Sequence, residues 1–198
     1  MNKTMLYRLS HTPNPTNRDP GNIAVFRGDR PSIHDMVRDL YDNDPQTLAF
    51  YEHYFEQGFE PWIARKDGIV VGVVWLFPDS YLLMWEGYDA WLLRFHAKPG
   101  TRFVGNVFVS PQRRGQGIFP LIAKSCFTTY PEADFYSTID AENDPSLRSH
   151  EKIGFQPCGS IRYIRFFQWT FCFVALKRNK FAFYHLRKGR ETDIVLNT

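Results

Sequence analysis

The stretch Val104-Gly-Asn-Val-Phe-Val-Ser-Pro-Gln-Arg-Arg-Gly-Gln-Gly-Ile-Phe-Pro-Leu-Ile-Ala-Lys124 reads as a strand, a tight basic turn and a helix. Val104, Val107, Phe108 and Val109 are β-branched or aromatic and lie close together, as a buried strand requires. Ser110-Pro111 stops that strand. Gln112 to Gly117 then places two glycines and two arginines where a helix begins. Ile118, Leu121, Ile122 and Cys126 follow at helical spacing, and Pro120 falls in the first turn, where its missing N–H costs little. A helix opening leaves backbone N–H groups beside the positive end of the dipole. Glycines there let an anion approach the main chain closely, and Arg113 and Arg114 add charge-assisted donors. A lone Gly-x-Gly does not make a phosphate cradle; glycines, arginines and a strand-to-helix setting together do.

Outward from this unit, the chain alternates readable elements. Residues 1–20 are polar, with Pro13, Pro15 and Pro20, and read as an arm around a short strand at Met5–Leu9. Ile23 to Phe26 is a first core strand. Arg30-Pro31-Ser32 opens a helix carrying Ile33, Met36, Val37 and Leu40 on one face. Asp44-Pro45 caps and starts a second helix toward Gln57. Pro61–Arg65 and Ile69–Phe77 are two strands joined by a hairpin turn at Lys66-Asp67-Gly68. Beyond the central helix, which ends near Tyr130-Pro131, Asp134 to Asp140 alternates toward another strand. The run Asn143-Asp-Pro-Ser-Leu-Arg-Ser-His-Glu-Lys-Ile-Gly-Phe155 then reads as a short helix with Asp144 as cap, Pro145 at its first position and Gly154 just past its end.

Two of these runs carry a family resemblance. Gln112-x-x-Gly115-x-Gly117, preceded by Val109-Ser110-Pro111, resembles the acyl-CoA pyrophosphate loop of the GNAT family of N-acetyltransferases. The later run resembles the family's second signature, an Asn, a small residue three on, then Tyr-Glu-Lys-x-Gly-Phe. Asn143, Ser146, Glu151, Lys152, Gly154 and Phe155 fall on it in register, with His150 where the Tyr usually stands. The resemblance covers roughly Ile23 to Ile164. It implies an α/β (α+β) GNAT fold, in which a central mixed, mostly antiparallel sheet is splayed at the acyl-CoA site and flanked by helices. It also implies acetyl-CoA as acyl donor, with no metal. The donor would lie on Val107, Phe108 and Val109 of the central strand and on Gln112, Arg113, Arg114, Gly115, Gln116, Gly117 and Ile118 of the loop. Asn143 and Ser146 complete the set.

Acyl transfer from a thioester to an amine asks for a neutral amine, stabilisation of the carbonyl oxygen and a proton for the departing thiolate. The resemblance implies direct transfer in a ternary complex, with main-chain N–H groups near Val107 and Val109 facing the thioester. His150 shares a helix face with Ser146, Leu147 and Ile153, so it is a candidate proton donor, set against a structural histidine. Many relatives carry a Glu at the start of the central strand as base. Arg102 and Phe103 stand there in this chain. Glu86, Asp89 and His96, or Asp140 and Glu142, are the alternatives, and a water relay is another. Glu86, Asp89 and Asp140 are the candidates for the acceptor pocket.

The composition, 43% hydrophobic and 23% charged over 198 residues, is that of one soluble globular domain. Three scattered cysteines, Cys126, Cys158 and Cys172, fit a reduced cytoplasmic setting rather than a disulfide or metal framework. No apolar leader and no membrane-length run is seen. The net charge of +3 is uneven: residues 161–198 hold eight Lys or Arg against Glu191 and Asp193, so the first 160 residues carry −3. Two segments depart from the family's plan. Residues 78–102 are an aromatic insertion with Tyr81, Trp85, Tyr88, Trp91 and Phe95, either core padding or a wall of the acceptor pocket. Residues 161–198 are basic, aromatic C-terminal strands, with Phe167, Trp169, Phe171 and Phe173 at period two and Phe181 and Phe183 after a turn. They close the sheet, or face an anionic partner such as a membrane surface or a lipid-linked or nucleotide-linked substrate, with nucleic acid ranked lower. The acceptor expected from these features is a small metabolite or amino sugar, nucleotide-linked and bound for cell-envelope polysaccharide in its narrowest form. Protein or peptide amines are the competing acceptors. A non-catalytic acyl-CoA-binding or membrane-associated module is the reading from another class. The chain is expected as a monomer or homodimer, in the cytoplasm or at the inner face of its membrane.

Overall fold

The structure, a computed structural model, describes residues 2–9, 22–85, 91–166, 169–176, 180–186 and 191–196. In chain order the described elements are β1 (Asn2–Leu9), β2 (Ile23–Arg27), α1 (Arg30–Leu40), α2 (Pro45–Glu56), β3 (Glu60–Lys66) and β4 (Ile69–Pro78). There follow β5 (Ser80–Trp85), β6 (Trp91–His96), β7 (Arg102–Val109), a short helical turn at Pro111–Arg113, α3 (Ile118–Thr129) and β8 (Phe135–Asp140). The chain ends in α4 (Asp144–Lys152), β9 (Gln156–Phe166), β10 (Trp169–Leu176), β11 (Lys180–Leu186) and β12 (Glu191–Val195). No helix among the described residues is long and apolar enough to cross a membrane. The sequence suggests one domain; the backbone forms two compact units, each assembled from separated pieces of chain.

One unit holds Thr12–Phe77 and Val104–Ala133. Its strands lie in the order β7-β4-β3-β2, with β2, β3 and β4 antiparallel. β4 is buried along nearly its whole length because helices cover both of its faces, which explains its unbroken apolar run. On one face Trp75 stacks on Tyr51 of α2 at 5.2 Å and 9°. On the other, Gly72 meets α3: a Cβ at Gly72 would lie 2.8 Å from Ile118 Cγ2 and 3.3 Å from the Phe108 carbonyl oxygen. The missing side chain is what lets the first turn of α3 settle on the sheet. The expected cap of α2 holds, since Asp44 accepts from the Thr47 amide at 2.8 Å, and α1 has a cap that the sequence reading did not name, Asp29, which accepts from the Ser32 amide at 3.0 Å. The Lys66–Gly68 hairpin turns through Asp67 and Gly68, with φ of 51° and 83°.

The other unit holds Met1–His11, Pro78–Phe103 and Asp134–Thr198. Its larger sheet runs β11-β10-β9-β1-β8, and a three-stranded sheet runs β12-β6-β5. Three expectations need correction. The first residues are no arm: β1 lies between β8 and β9, antiparallel to both, with Leu6, Tyr7 and Leu9 buried. A strand paired on both sides has no free edge, so local sequence polarity says little about it. The insertion is a β5–β6 hairpin extended by β12, which joins β6 in parallel and was not anticipated. Bidentate Arg94–Glu191 (2.6 and 2.8 Å) and His96–Asp193 (2.7 Å) contacts tie β12 on. Tyr81 stacks on Phe103 and Phe95 is fully buried, so these aromatics are core rather than pocket wall. The side chains of Trp85, Tyr88 and Trp91 lie outside the described residues. Finally, the cap of α4 is Asn143, whose side chain accepts from the Ser146 amide at 3.2 Å, and Asp144 is the first helical residue. Gly154 does end the helix, at φ 97°.

Candidate active site

The loop read from sequence as a phosphate cradle is a tight turn that leads into α3. Ser110 leaves β7 by donating its amide to the Val71 carbonyl at 3.0 Å, which anchors the strand end to β4. The turn Pro111–Arg113 follows, then Gly115 and Gly117 with φ of 77° and 80°, both in the left-handed region that β-carbons disfavour. Gly117 is the N-cap of α3 and has no side chain to satisfy the helix opening. Among the described residues, none accepts from the amides of Gly115, Gly117 and Ile118. Gly115 is exposed and Gly117 half-buried at this helix opening, where the dipole favours an anion.

The polar side chains of the loop mostly brace it. Ser110 Oγ donates to Gln112 Oε1 at 2.7 Å, and Gln116 Nε2 donates to the Gln112 carbonyl at 3.3 Å. Arg114 Nε donates to the Val109 carbonyl at 3.3 Å, which folds the guanidinium over the strand end and leaves its two terminal nitrogens for a ligand. Arg113 is half-buried at the end of the turn.

Sequence reading missed the residue that shapes the strand beside this loop. Asn106 has φ 44° in the middle of β7, a left-handed residue inside a strand. Such a residue rotates the peptide groups around it out of the regular ladder, as bulges beside active sites do. The next residue is Val107, one of the positions whose amide is expected to face the thioester. The visible signal was Gly105-Asn106 interrupting a β-branched run, since Asn tolerates positive φ. Replacing Asn106 by Val forces a β-branched residue into this conformation and is expected to cost ~1–2 kcal/mol, read from the urea midpoint. Asn106→Gly should stay within about 1 kcal/mol of wild type; equal midpoints for the two variants would mean that the positive φ is not maintained. On the same strand, Phe108 packs 5.0 Å from the ring of Tyr41, whose hydroxyl is 3.0 Å from that of Tyr51. Burial raises the Tyr41 pKa, so the phenol is neutral.

His150 is in the other unit, and its surroundings favour the structural histidine over the proton donor. The imidazole is 2% exposed. Nδ1 lies 2.9 Å from the Ser146 carbonyl oxygen, which can only accept, so the proton sits on Nδ1. Nε2, 3.2 Å from Ser137 Oγ, is then the acceptor of that hydroxyl. Phe155 closes the pocket edge-on at 5.3 Å. Burial pushes the pKa down to about 4, and the hydrogen bond to Ser146 offsets only part of that. A neutral ring with both nitrogens engaged is a structural tie between α4 and β8, and the imidazolium needed to protonate a thiolate is scarcely populated at neutral pH. Helical periodicity correctly turned His150 inward; how little water would remain there depends on β8 and Phe155.

Of the other site candidates, Asn143 is exposed and spends its side-chain oxygen on the cap, and Ser146 Oγ is 3.5 Å from His150 Nδ1. Asp140 is exposed at the end of β8 and accepts from the Glu142 amide at 2.9 Å. Glu86 and Asp89 lie outside the described residues. No cluster of three or more His, Cys, Asp or Glu suited to a metal occurs among the described residues.

A model of the acetyltransferase (GNAT) family matches residues 30–155. No curated protein sequence matches the chain. Among solved structures, a conserved protein of unknown function from Staphylococcus epidermidis superposes with a TM-score of 0.56 at 15% identity. That match covers 80% of this chain but only 59% of the other. Ribosomal-protein-alanine N-acetyltransferase from Brucella melitensis matches at TM-score 0.51 and 18% identity, covering 73% of this chain and 99% of that one. AAC(6')-Iy in complex with a CoA–acetylneamine bisubstrate analogue matches at TM-score 0.50 and 17% identity, covering 69% and 92%. At these identities the superpositions speak for the fold, and the family match spans well over half of the chain. The chain belongs to the acetyltransferase (GNAT) family, the acyl-CoA-dependent N-acyltransferases.

Proposed function

We propose that this protein moves an acetyl group from acetyl-CoA to a primary amine of a small metabolite or amino sugar, by direct attack within a ternary complex. The observation that carries the donor half is the opening of α3, where the amides of Gly115, Gly117 and Ile118, unused by the described residues, follow Arg113 and Arg114 in one tight loop. In this reading those groups hold the CoA pyrophosphate, and Val107, Phe108 and Val109 line the path of the pantetheine arm. Acetyl-CoA supplies the acetyl group as a thioester. The amides next to Asn106 stabilise the carbonyl oxygen as charge develops on it. The nitrogen–carbon bond forms as the carbon–sulfur bond breaks, and the proton lost by the amine balances the one gained by the CoA sulfur. His150 positions α4 and touches no reactant. The Tyr41–Tyr51 hydroxyl pair beside Phe108 offers a neutral polar contact for an amine N–H. A reducing compartment suits Cys126 and Cys172, both buried free thiols.

Two acceptor classes are worth separating, because AAC(6')-Iy has been captured with a neamine-based analogue and another GNAT-fold neighbour is a ribosomal-protein-alanine N-acetyltransferase. Release of CoA thiol is to be followed with amino sugars, aminoglycosides and peptide amines in parallel. Turnover on the first two and none on peptides is the expected result. Turnover on peptides alone would move the acceptor to protein. Acetyl-CoA binding without turnover on any amine would make the chain a binding module.

A further inference from the structure

The sheet formed by β9, β10 and β11 has one face in the core and one in solvent, and the solvent face is apolar where polar residues are the norm. Ile161, Cys172, Val174 and Leu186 point inward and are buried. On the alternate positions, Ile164 is opposite Phe171, Arg162 is opposite Phe173, and Phe173 is opposite Phe183, so these five side chains share the outer face. Ile164, Phe173 and Phe183 are 43%, 45% and 56% exposed, the contiguous part of the protein's large exposed hydrophobics. The stretch of sequence that holds them is basic without relief. From Lys152 to Arg190 there is no Asp or Glu, and Lys177 and Arg178 follow β10 directly, as Arg187, Lys188 and Arg190 follow β11.

We propose that this outer face of β9–β11 docks on an anionic lipid surface. An apolar patch within so basic a stretch of sequence matches a bilayer interface, where rings enter the acyl boundary and cations meet phosphate headgroups. The other partners for such a patch fit less well. A second copy of the chain would bring the same basic segment against itself. A nucleic acid needs aromatic planes open for bases to stack on. Here Phe171 and Phe183 are stacked on each other at 5.5 Å and 16°, and Phe173 leans on Phe183 at 4.8 Å, so the rings present a packed apolar cluster rather than a stacking platform. This proposal is independent of the acetyltransferase reading. It would keep the enzyme near acceptors held at a membrane surface.

The test is sedimentation of the full chain with phosphatidylcholine vesicles and with vesicles of phosphatidylcholine and phosphatidylglycerol in equal amounts. The expected result is binding to the anionic vesicles only, weakened by salt. The Phe173→Ser/Phe183→Ser double variant should bind at least ~10-fold more weakly with a melting temperature within a few degrees of wild type, since both rings are largely exposed. Arg162→Glu, which leaves the apolar cluster in place, should weaken binding roughly 10-fold. No pelleting with anionic vesicles at low salt, equal pelleting with neutral ones, or undiminished binding of both variants overturns the proposal. So does tight binding of a single-stranded oligonucleotide in place of vesicles, or a dimer seen by light scattering that the double variant disperses.

Discussion

Gly117→Glu abolishes acetyl-CoA binding: a weakening of at least ~100-fold, about 3 kcal/mol, is expected by calorimetry. Three effects add at this position. A non-glycine residue is strained at φ 80°. A carboxylate at the N-cap can satisfy the helix's own amides and so compete with a ligand for them. The same carboxylate repels the phosphates that the loop is built to receive. Gly117→Asn separates strain from charge, because Asn tolerates the left-handed region and adds no charge; it should bind within about tenfold of wild type. Normal binding by the Glu variant would falsify the assignment of Gln112–Gly117 to the pyrophosphate. In the proposed binding mode the loop amides hold the pyrophosphate, and the Gln112 and Gln116 side chains matter through the shape they give the loop.

The second large effect is a dependence of stability on pH that comes from His150. Its folded pKa is about 4, against 6.5 for the exposed imidazole of the unfolded chain. Between these values the unfolded state takes up a proton that the folded state refuses, so lowering the pH favours unfolding. Stability from this residue is complete above about pH 6.5, falls through the interval down to about pH 4, and changes no further below it. The loss over the interval is about 3 kcal/mol. Urea unfolding from pH 7 to pH 4 should therefore show a slope in wild type that the His150→Phe variant lacks, and subtracting the two curves removes the carboxylates. The variant also leaves Ser137 and the Ser146 carbonyl without their partner, at a cost of about 1–2 kcal/mol at neutral pH. Titration of the wild-type imidazole by NMR is a check that needs no variant. A midpoint between pH 6 and 7 would sink this account and return His150 to the candidates for a proton donor.

Much of the fold was legible where its signals are local. Asp44 and Gly154 act on their own helix ends, Asp67-Gly68 on its own hairpin, and Gly115 and Gly117 on the opening of α3. Each of these is settled within a few residues of chain. The errors on β1 and β12 have the opposite property, while the cap of α4 is a local ambiguity. Asn143 and Asp144 both suit a cap, and only the geometry of the Ser146 amide separates them. β1 and β12 find partners far away in sequence, and their polarity follows from those partners: β1 is enclosed by β8 and β9, and β12 is held by Arg94 and His96.

The sequence by itself determined the family and the donor half of the chemistry, because both rest on short motifs whose glycines and charges act through the backbone next to them. The tertiary structure decided the rest. Asn106 keeps a left-handed conformation inside a strand, Gly72 admits α3 to the sheet, and burial among β8 and Phe155 pushes the His150 pKa down. Burial and pairing are properties of what surrounds a residue, and those surroundings are assembled from parts of the chain that no local pattern brings together.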